Sequence, residues 1–401
     1  MLNDCIIVAG GSGTRLWPAS SSGRPKQLLN LPPGIPAGVV SRRKTGKGCC
    51  FFSVALDRAL AVTEDSADGQ VVIIAGKKHI DTILEECAKL GPSEQKRLVL
   101  IPEPIPRNTA PAIACALVYL DWVSTGSERN ILVLSSDTII RPLNIFKTDV
   151  NAAADMAQAD KFVTFGTSPQ IFETGHKYIR TSKALTIPQD DSQRRKKYEP
   201  EIFSVASFRQ KPDPKKTKSP PGAHNFFRNT GIYAFSSKLM LAEFRRSSPD
   251  VIDPFSKLMA PNDYAYRKRK GIKILEDWDN LETAYKKTQA ISFEQAVAEK
   301  CRAAVMVKAG FSWINVSSWD EYAALVKNTG AEVYGTEGAA ETCFVDSDIP
   351  VALCGVEDLI VIVRSGKDGG PPAVLIAKKG ETHRVKEIVE KIGAAGRTEL
   401  L

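Results

Sequence analysis

Residues Ile6–Leu29 read IIVAGGSGTRLWPASSSGRPKQLL, and this stretch decides the fold. An apolar run of strand length ends at Ala9. Glycines at 10, 11 and 13 follow it, then Thr14 and Arg15, and Lys26 stands behind a proline. Glycines let a backbone approach an anion closely, and successive amides form a concave anion site. Thr14 adds a hydroxyl, Arg15 a permanent cation, and Lys26 a second cation. The pattern fits neither of two familiar phosphate loops. A P-loop needs Gly-Lys-Ser/Thr, and no lysine follows these glycines. The dinucleotide fingerprint needs a third glycine where Leu16 stands. A strand-to-turn phosphate site remains, with a plain strand-to-helix turn as the bland alternative.

Outward from this stretch the first half alternates strand and helix patterns. Apolar runs at 71–75, 98–101, 131–135 and 162–166 read as strands. Amphipathic or apolar stretches at 78–90, 110–122 and 144–159 read as helices. Near-continuous apolar strands separated by helices predict a parallel sheet covered on both faces. Ligands bind such sheets at the carboxyl ends of the strands. The glycine turn, the Glu103 loop and Asp137 all fall at such ends. Between 178 and 235, short strands (203–208 and 231–235) among polar loops predict antiparallel additions. After residue 329 the runs VALCG, LIVIV and AVLIAK, closed by an amphipathic helix at 385–392, predict a small β-rich domain. The expected division is therefore 1–329 and 330–401.

Composition is that of a globular protein: 401 residues, 43% hydrophobic, 25% charged, net charge +8. No apolar run approaches the ~20 residues of a membrane span, and no signal peptide is legible. These features predict a cytoplasmic protein with no membrane partner. Eight cysteines without C-x-x-C spacing and only four histidines argue against zinc and a disulfide framework. Two basic clusters, 194–197 and 215–218, lack interleaved aromatics and read as solvated loops, so no nucleic-acid partner is expected.

The stretch AGGSGTRLWPASSSGRPKQLL resembles the signature of sugar-1-phosphate nucleotidylyltransferases, and its Trp17-Pro18 pair resembles the mannose-1-phosphate guanylyltransferase branch. IPEPIPRNTAPAIACA at 101–116 is similar to a second motif of that branch. LSSD (134–137), ETGHKYI (173–179), FRQKPD (208–213), RNTGIYAF (228–235) and WINVSSW (313–319) follow in the family's order. The resemblance implies a Rossmann-like α/β domain with a mixed, mostly parallel sheet. It implies transfer of GMP from GTP to a hexose 1-phosphate, mannose 1-phosphate in this branch, with Mg2+.

By that resemblance Gly10, Gly11, Gly13, Thr14 and Arg15 hold the nucleotide, and Arg15 and Lys26 face the triphosphate. Glu103 selects guanine, because a carboxylate offers two acceptors to the adjacent N1–H and N2 amine donors; Asn108 and Thr109 support the base. An exposed loop acid is the alternative for Glu103. Asp137 and Asn315 are the implied metal ligands, where most of the branch has aspartate at the second position. An alternative is that Asn315 caps the following helix. Lys211 is assigned to the sugar phosphate as a catalytic residue, and Glu173, Gly175 and Asn229 to the sugar. His176-Lys177 replaces a Tyr-Gly pair, Gln210 a glutamate and Ser317 a glycine. The departures fall on the sugar and metal sides. A guanylyltransferase for a different hexose 1-phosphate and a non-catalytic GTP- or GDP-sugar-binding relative therefore both stay open. So does a homo-oligomer.

Overall fold

A computed structural model describes residues 2–401 apart from 12, 22, 32–48, 64–65, 67, 170–176, 186–197, 211–224, 327–328, 330 and 367–370. The chain forms two compact units. One comprises Met1–Gly10, Ala55–Ser136 and Ile140–Trp313; the other comprises Gly11–Val54, Asp137–Ile139 and Ile314–Leu401. The units therefore do not follow a single cut at residue 329. The reason is a shared core: Leu16, Trp17, Phe51, Val54 and Ile139 bury their apolar surface with Val316, Trp319, Ile360, Ile362, Leu375 and Val385.

The first unit is built on an eleven-stranded sheet. Its strands are β1 (Asp4–Val8), β2 (Val71–Gly76), β3 (Leu98–Glu103), β4 (Asn130–Ser135), β6 (Phe162–Thr167), β7 (Lys177–Leu185), β8 (Glu201–Gln210), β9 (Phe226–Ser236), β10 (Tyr266–Arg269), β11 (Ile272–Leu275) and β12 (Ala304–Lys308). The short β5 (Thr138–Arg141) lies outside that sheet. The order is β10-β11-β3-β2-β1-β4-β9-β6-β12-β8-β7. Strands β11, β3, β2, β1 and β4 run parallel. Their buried Val, Ile and Leu runs are what a sheet covered on both faces requires. The helix Thr109–Val123 is buried continuously from Ala110 to Leu120, which explains its weak amphipathicity.

The antiparallel strands extend this sheet, and they are longer than the sequence pattern indicated. β9 spans eleven residues and pairs with β4, β6 and β7. Because β7 pairs with both β8 and β9, the strands β9-β6-β12-β8-β7 close into a ring. Ile179, Phe227 and Met306 form a small core there. A Cβ at Gly166 would stand 2.4 Å from Met306 Sδ, so this close approach needs glycine.

In the second unit, β13 (Ser312–Asn315) contributes its last two residues, Ile314 and Asn315. The parallel pair β14 (Val333–Gly335) and β16 (Val351–Leu353) follows. A three-stranded sheet has β17 (Leu359–Arg364) between β15 (Phe344–Ser347) and β18 (Ala373–Lys378). The helices Trp319–Leu325 and Val385–Ala394 complete it. No helix among the described residues is long and apolar enough to cross a membrane.

Candidate active site

In the first unit, β3 runs parallel to β2 with Glu103 beside Gly76, so its carboxylate stands at the carboxyl end of the sheet. Glu103 is buried, 5% exposed, which removes the exposed-loop alternative. One oxygen, Oε1, is buried with no hydrogen-bond partner among the described residues. The Arg107 backbone N–H donates to the carboxylate, but burial dominates and pushes the Glu103 pKa up to about 7. Gly10 makes room for this group: a Cβ there would stand 3.0 Å from Glu103 Oε2.

The loop after Glu103 is held by its own side chains. Arg107 Nε donates to the Tyr285 carbonyl at 3.0 Å. Asn108 has φ 71°, and its side-chain oxygen accepts from Thr109 N at 2.8 Å, starting the helix Thr109–Val123. Thr109 Oγ1 accepts from Phe293 N at 2.9 Å. Asn108 and Thr109 thus fix the loop that follows Glu103.

Asn229, on β9, is also buried. Its Oδ1 accepts from Thr164 Oγ1 at 3.0 Å and from Gly231 N at 3.2 Å. Its Nδ2 donates to Tyr233 Oη at 3.3 Å, and Tyr233 donates to Glu294 at 2.8 Å. The Oδ1 is occupied within the sheet by β6 and β9 groups, which leaves the second amide hydrogen of Nδ2. Lys177, at the start of β7, pairs with Glu299 at 2.8 Å. Glu173, Gly175 and Lys211 lie outside the described residues.

The second unit holds the glycine turn and the cations Arg15 and Lys26. Gly11 has open space around it, whereas Gly13 is constrained twice. It adopts φ 64°, and a Cβ there would stand 2.3 Å from Lys26 Cβ. Ser20 Oγ donates to the Gly13 carbonyl at 2.7 Å. The chain then makes a single 3₁₀ turn, Thr14–Leu16, rather than a helix. Arg15 is exposed on this turn while Leu16 and Trp17 are buried. The turn is pinned through Trp17: its Nε1 donates to the Leu400 carbonyl at 2.7 Å, and its own carbonyl accepts from Trp319 Nε1 at 2.8 Å.

Lys26 is 5% exposed. Its Nζ donates to Asp137 Oδ2 at 2.7 Å and to Asn315 Oδ1 at 2.8 Å. The three residues assigned from separate motifs therefore meet at one ammonium. Asn315 does not cap the next helix, because Ser318 does: its side chain accepts from Glu321 N at 3.2 Å. Among the described residues no group of three or more His, Cys, Asp or Glu side chains could hold a metal ion. A divalent cation at Asp137 and Asn315 would thus take two protein oxygens and need the rest from substrate and water. Mg2+ accepts that arrangement, being held by one or two carboxylates plus substrate phosphates. Sequence reasoning missed the Trp17–Leu400 and Trp319–Trp17 links and the role of Ser20. The only signal was the Trp17-Pro18 pair, which carries no information about its partners.

Residues 62–331 match the sequence pattern of the nucleotidyl transferase family. The chain is 29% identical over 400 residues to an Escherichia coli K12 protein named mannose-1-phosphate guanylyltransferase, covering 98% of this chain and 74% of that protein. A Salmonella montevideo protein of the same name is 30% identical over 401 residues, with the same coverage. Among solved structures, a Thermus thermophilus protein named mannose-1-phosphate geranyltransferase superposes with a TM-score of 0.70 at 23% identity, covering 98% of this chain and 100% of that one. A Helicobacter pylori protein named mannose-6-phosphate isomerase superposes at 0.55 and 21% identity, covering 78% of this chain and 99% of its own.

Proposed function

This chain belongs to the nucleotidyl transferase family, and from that premise we propose that it transfers GMP from GTP to mannose 1-phosphate, giving GDP-mannose and pyrophosphate. The names of its relatives support the reaction. The observation that carries the base choice is Glu103, a buried carboxylate with one oxygen that lacks a partner among the described residues. Guanine supplies the two adjacent donors that such a group requires. A uracil or thymine edge would bring an acceptor against it.

The sugar phosphate oxygen attacks the α-phosphorus and pyrophosphate leaves. Such transfers are accelerated by positioning and charge neutralisation rather than by covalent chemistry. Arg15 offers a planar fork to phosphate oxygens, and Lys26 a point charge. Glu103, once ionised, orients the guanine. Lys211 is assigned to the sugar phosphate, and Glu173, Gly175 and Asn229 to the sugar, on their motifs alone. Asp137 and Asn315 would hold Mg2+, which supplies further neutralisation of the triphosphate when bound. The sugar-side departure favours a second reading, another hexose 1-phosphate, since Lys177 and Glu299 place an ion pair at the start of β7.

The test is pyrophosphate release from purified protein with GTP and Mg2+ across a panel of hexose 1-phosphates. Release with mannose 1-phosphate alone is expected. Release with another sugar only moves the assignment to that sugar. No release with any sugar, while GTP binds, overturns the enzymatic reading in favour of a GTP-binding relative.

A further inference from the structure

We propose that the Lys26 ammonium is a placeholder for the divalent cation: in the nucleotide-free protein it occupies the seat between Asp137 and Asn315, so that a metal ion binds tightly only with the nucleotide that draws Lys26 away. The inference rests on the reading of Asp137 and Asn315 as the metal ligands.

The geometry carries it. Lys26 Nζ lies 2.7 Å from Asp137 Oδ2 and 2.8 Å from Asn315 Oδ1, with nitrogen between the two oxygens. A magnesium ion held by those two oxygens would draw on the same atoms at about 2.1 Å. Two cations on the same pair of oxygens would stand close together in a site where Lys26 is 5% exposed, and their repulsion is weakly screened there. The ammonium and a metal ion therefore compete for the seat.

Lys26 is built to yield at its tip and nowhere else. Its stem lies against Gly13, where no side chain could fit. Its Nζ is 5.8 Å from the centre of the Phe51 ring. The terminal bonds of the side chain can turn while the stem stays fixed. A triphosphate gives the ammonium charged oxygens elsewhere, and the two vacated protein oxygens become available. Asn315 belongs to the same logic. A neutral amide adds no charge to the seat, so at these two side chains the ammonium faces a single carboxylate. An aspartate at 315 would add a negative charge to the seat with Lys26 in place.

The experiment is equilibrium binding of Mn2+ alone, followed by electron paramagnetic resonance, on nucleotide-free full chain. Wild type is expected to bind weakly at this seat. Lys26→Met should bind at least tenfold more tightly, and adding Asp137→Ala to Lys26→Met should abolish the gain. Asn315→Asp should tighten binding with Lys26 present. Equal Mn2+ affinity in wild type and Lys26→Met overturns the proposal. So does a gain that survives Asp137→Ala, because the metal then sits elsewhere. Lys26→Gln repeats the test if the methionine variant does not fold. No substrate is present, so these outcomes are independent of pyrophosphate release, whose failure would instead count against the enzymatic reading.

Discussion

Replacing Glu103 by glutamine tests the base assignment most directly. The carboxylate is 5% exposed and its Oε1 has no partner among the described residues. Guanine N1–H and the N2 amine would satisfy both oxygens with charge-assisted hydrogen bonds. Glu103→Gln keeps one acceptor and turns an NH2 donor toward a donor of the base. Losing one charge-assisted bond and burying a mismatched donor costs about 2–4 kcal/mol, or roughly 30- to 1,000-fold in kcat/KM for GTP. UTP and dTTP, which present an acceptor beside a donor, should lose little or gain. The pH dependence adds a second signature. With a Glu103 pKa of about 7, GTP affinity in wild type should fall about tenfold between pH 8 and pH 6 as the carboxyl takes up its proton. The variant should lack that dependence. Stability moves the other way. The folded pKa lies above the ordinary 4.5, so the contribution of the neutral carboxyl is complete below pH 4.5 and is lost as pH rises through about 7. Above that, ionised Glu103 costs the free protein about 3 kcal/mol, which Glu103→Gln should recover in urea unfolding at pH 8. The assay is pyrophosphate release with each triphosphate from pH 6 to 8. Unchanged discrimination and an unchanged pH profile would refute the reasoning.

Asp137→Ala should abolish metal-dependent turnover while leaving the fold intact, as read by pyrophosphate release beside circular dichroism; retained turnover would put the metal elsewhere. Gly13→Ala combines a left-handed φ of 64° with a Cβ 2.3 Å from Lys26 Cβ, so it should cost about 2 kcal/mol or more and lower turnover through Lys26. A normal urea midpoint would show the turn to be more pliable than its geometry implies. Trp17→Phe removes the 2.7 Å bond to the Leu400 carbonyl and should cost about 1 kcal/mol. If that bond holds the turn carrying Arg15, deleting residues 398–401 should add little to the loss in Trp17→Phe; additive losses would show two unrelated effects.

The parallel strands were legible because each is a short apolar run and a covered parallel strand needs no more than that. Their limits shifted by a residue or two, as at Val71–Gly76, because hydrogen bonding and not hydrophobicity ends a strand. The antiparallel strands were under-read. β9 begins at Phe226, whereas its apolar pattern emerges only after Gly231, since the polar run Arg228-Asn229-Thr230 interrupts its first half, which pairs with the ring strand β7 through Phe226–Arg228. The unit boundaries were not legible, because Leu16 and Trp17 carry no local sign that their core partners come from beyond residue 315.

By itself the sequence determined the chemistry available: a glycine turn with φ-permissive positions, two cations after it, a carboxylate at one strand end and another at the next. These are properties of residue types at short spacing, which chain connectivity alone enforces. Tertiary structure decided what each group does. It buried Glu103 and thereby raised its pKa, since desolvation depends on everything packed around a group. It joined Lys26 to Asp137 and Asn315, and Trp17 to Leu400, across sequence separations of 111, 289 and 383 residues. At such distances no local preference reports on the partner; only the burial of a common core brings the groups together, and that is a property of the folded chain.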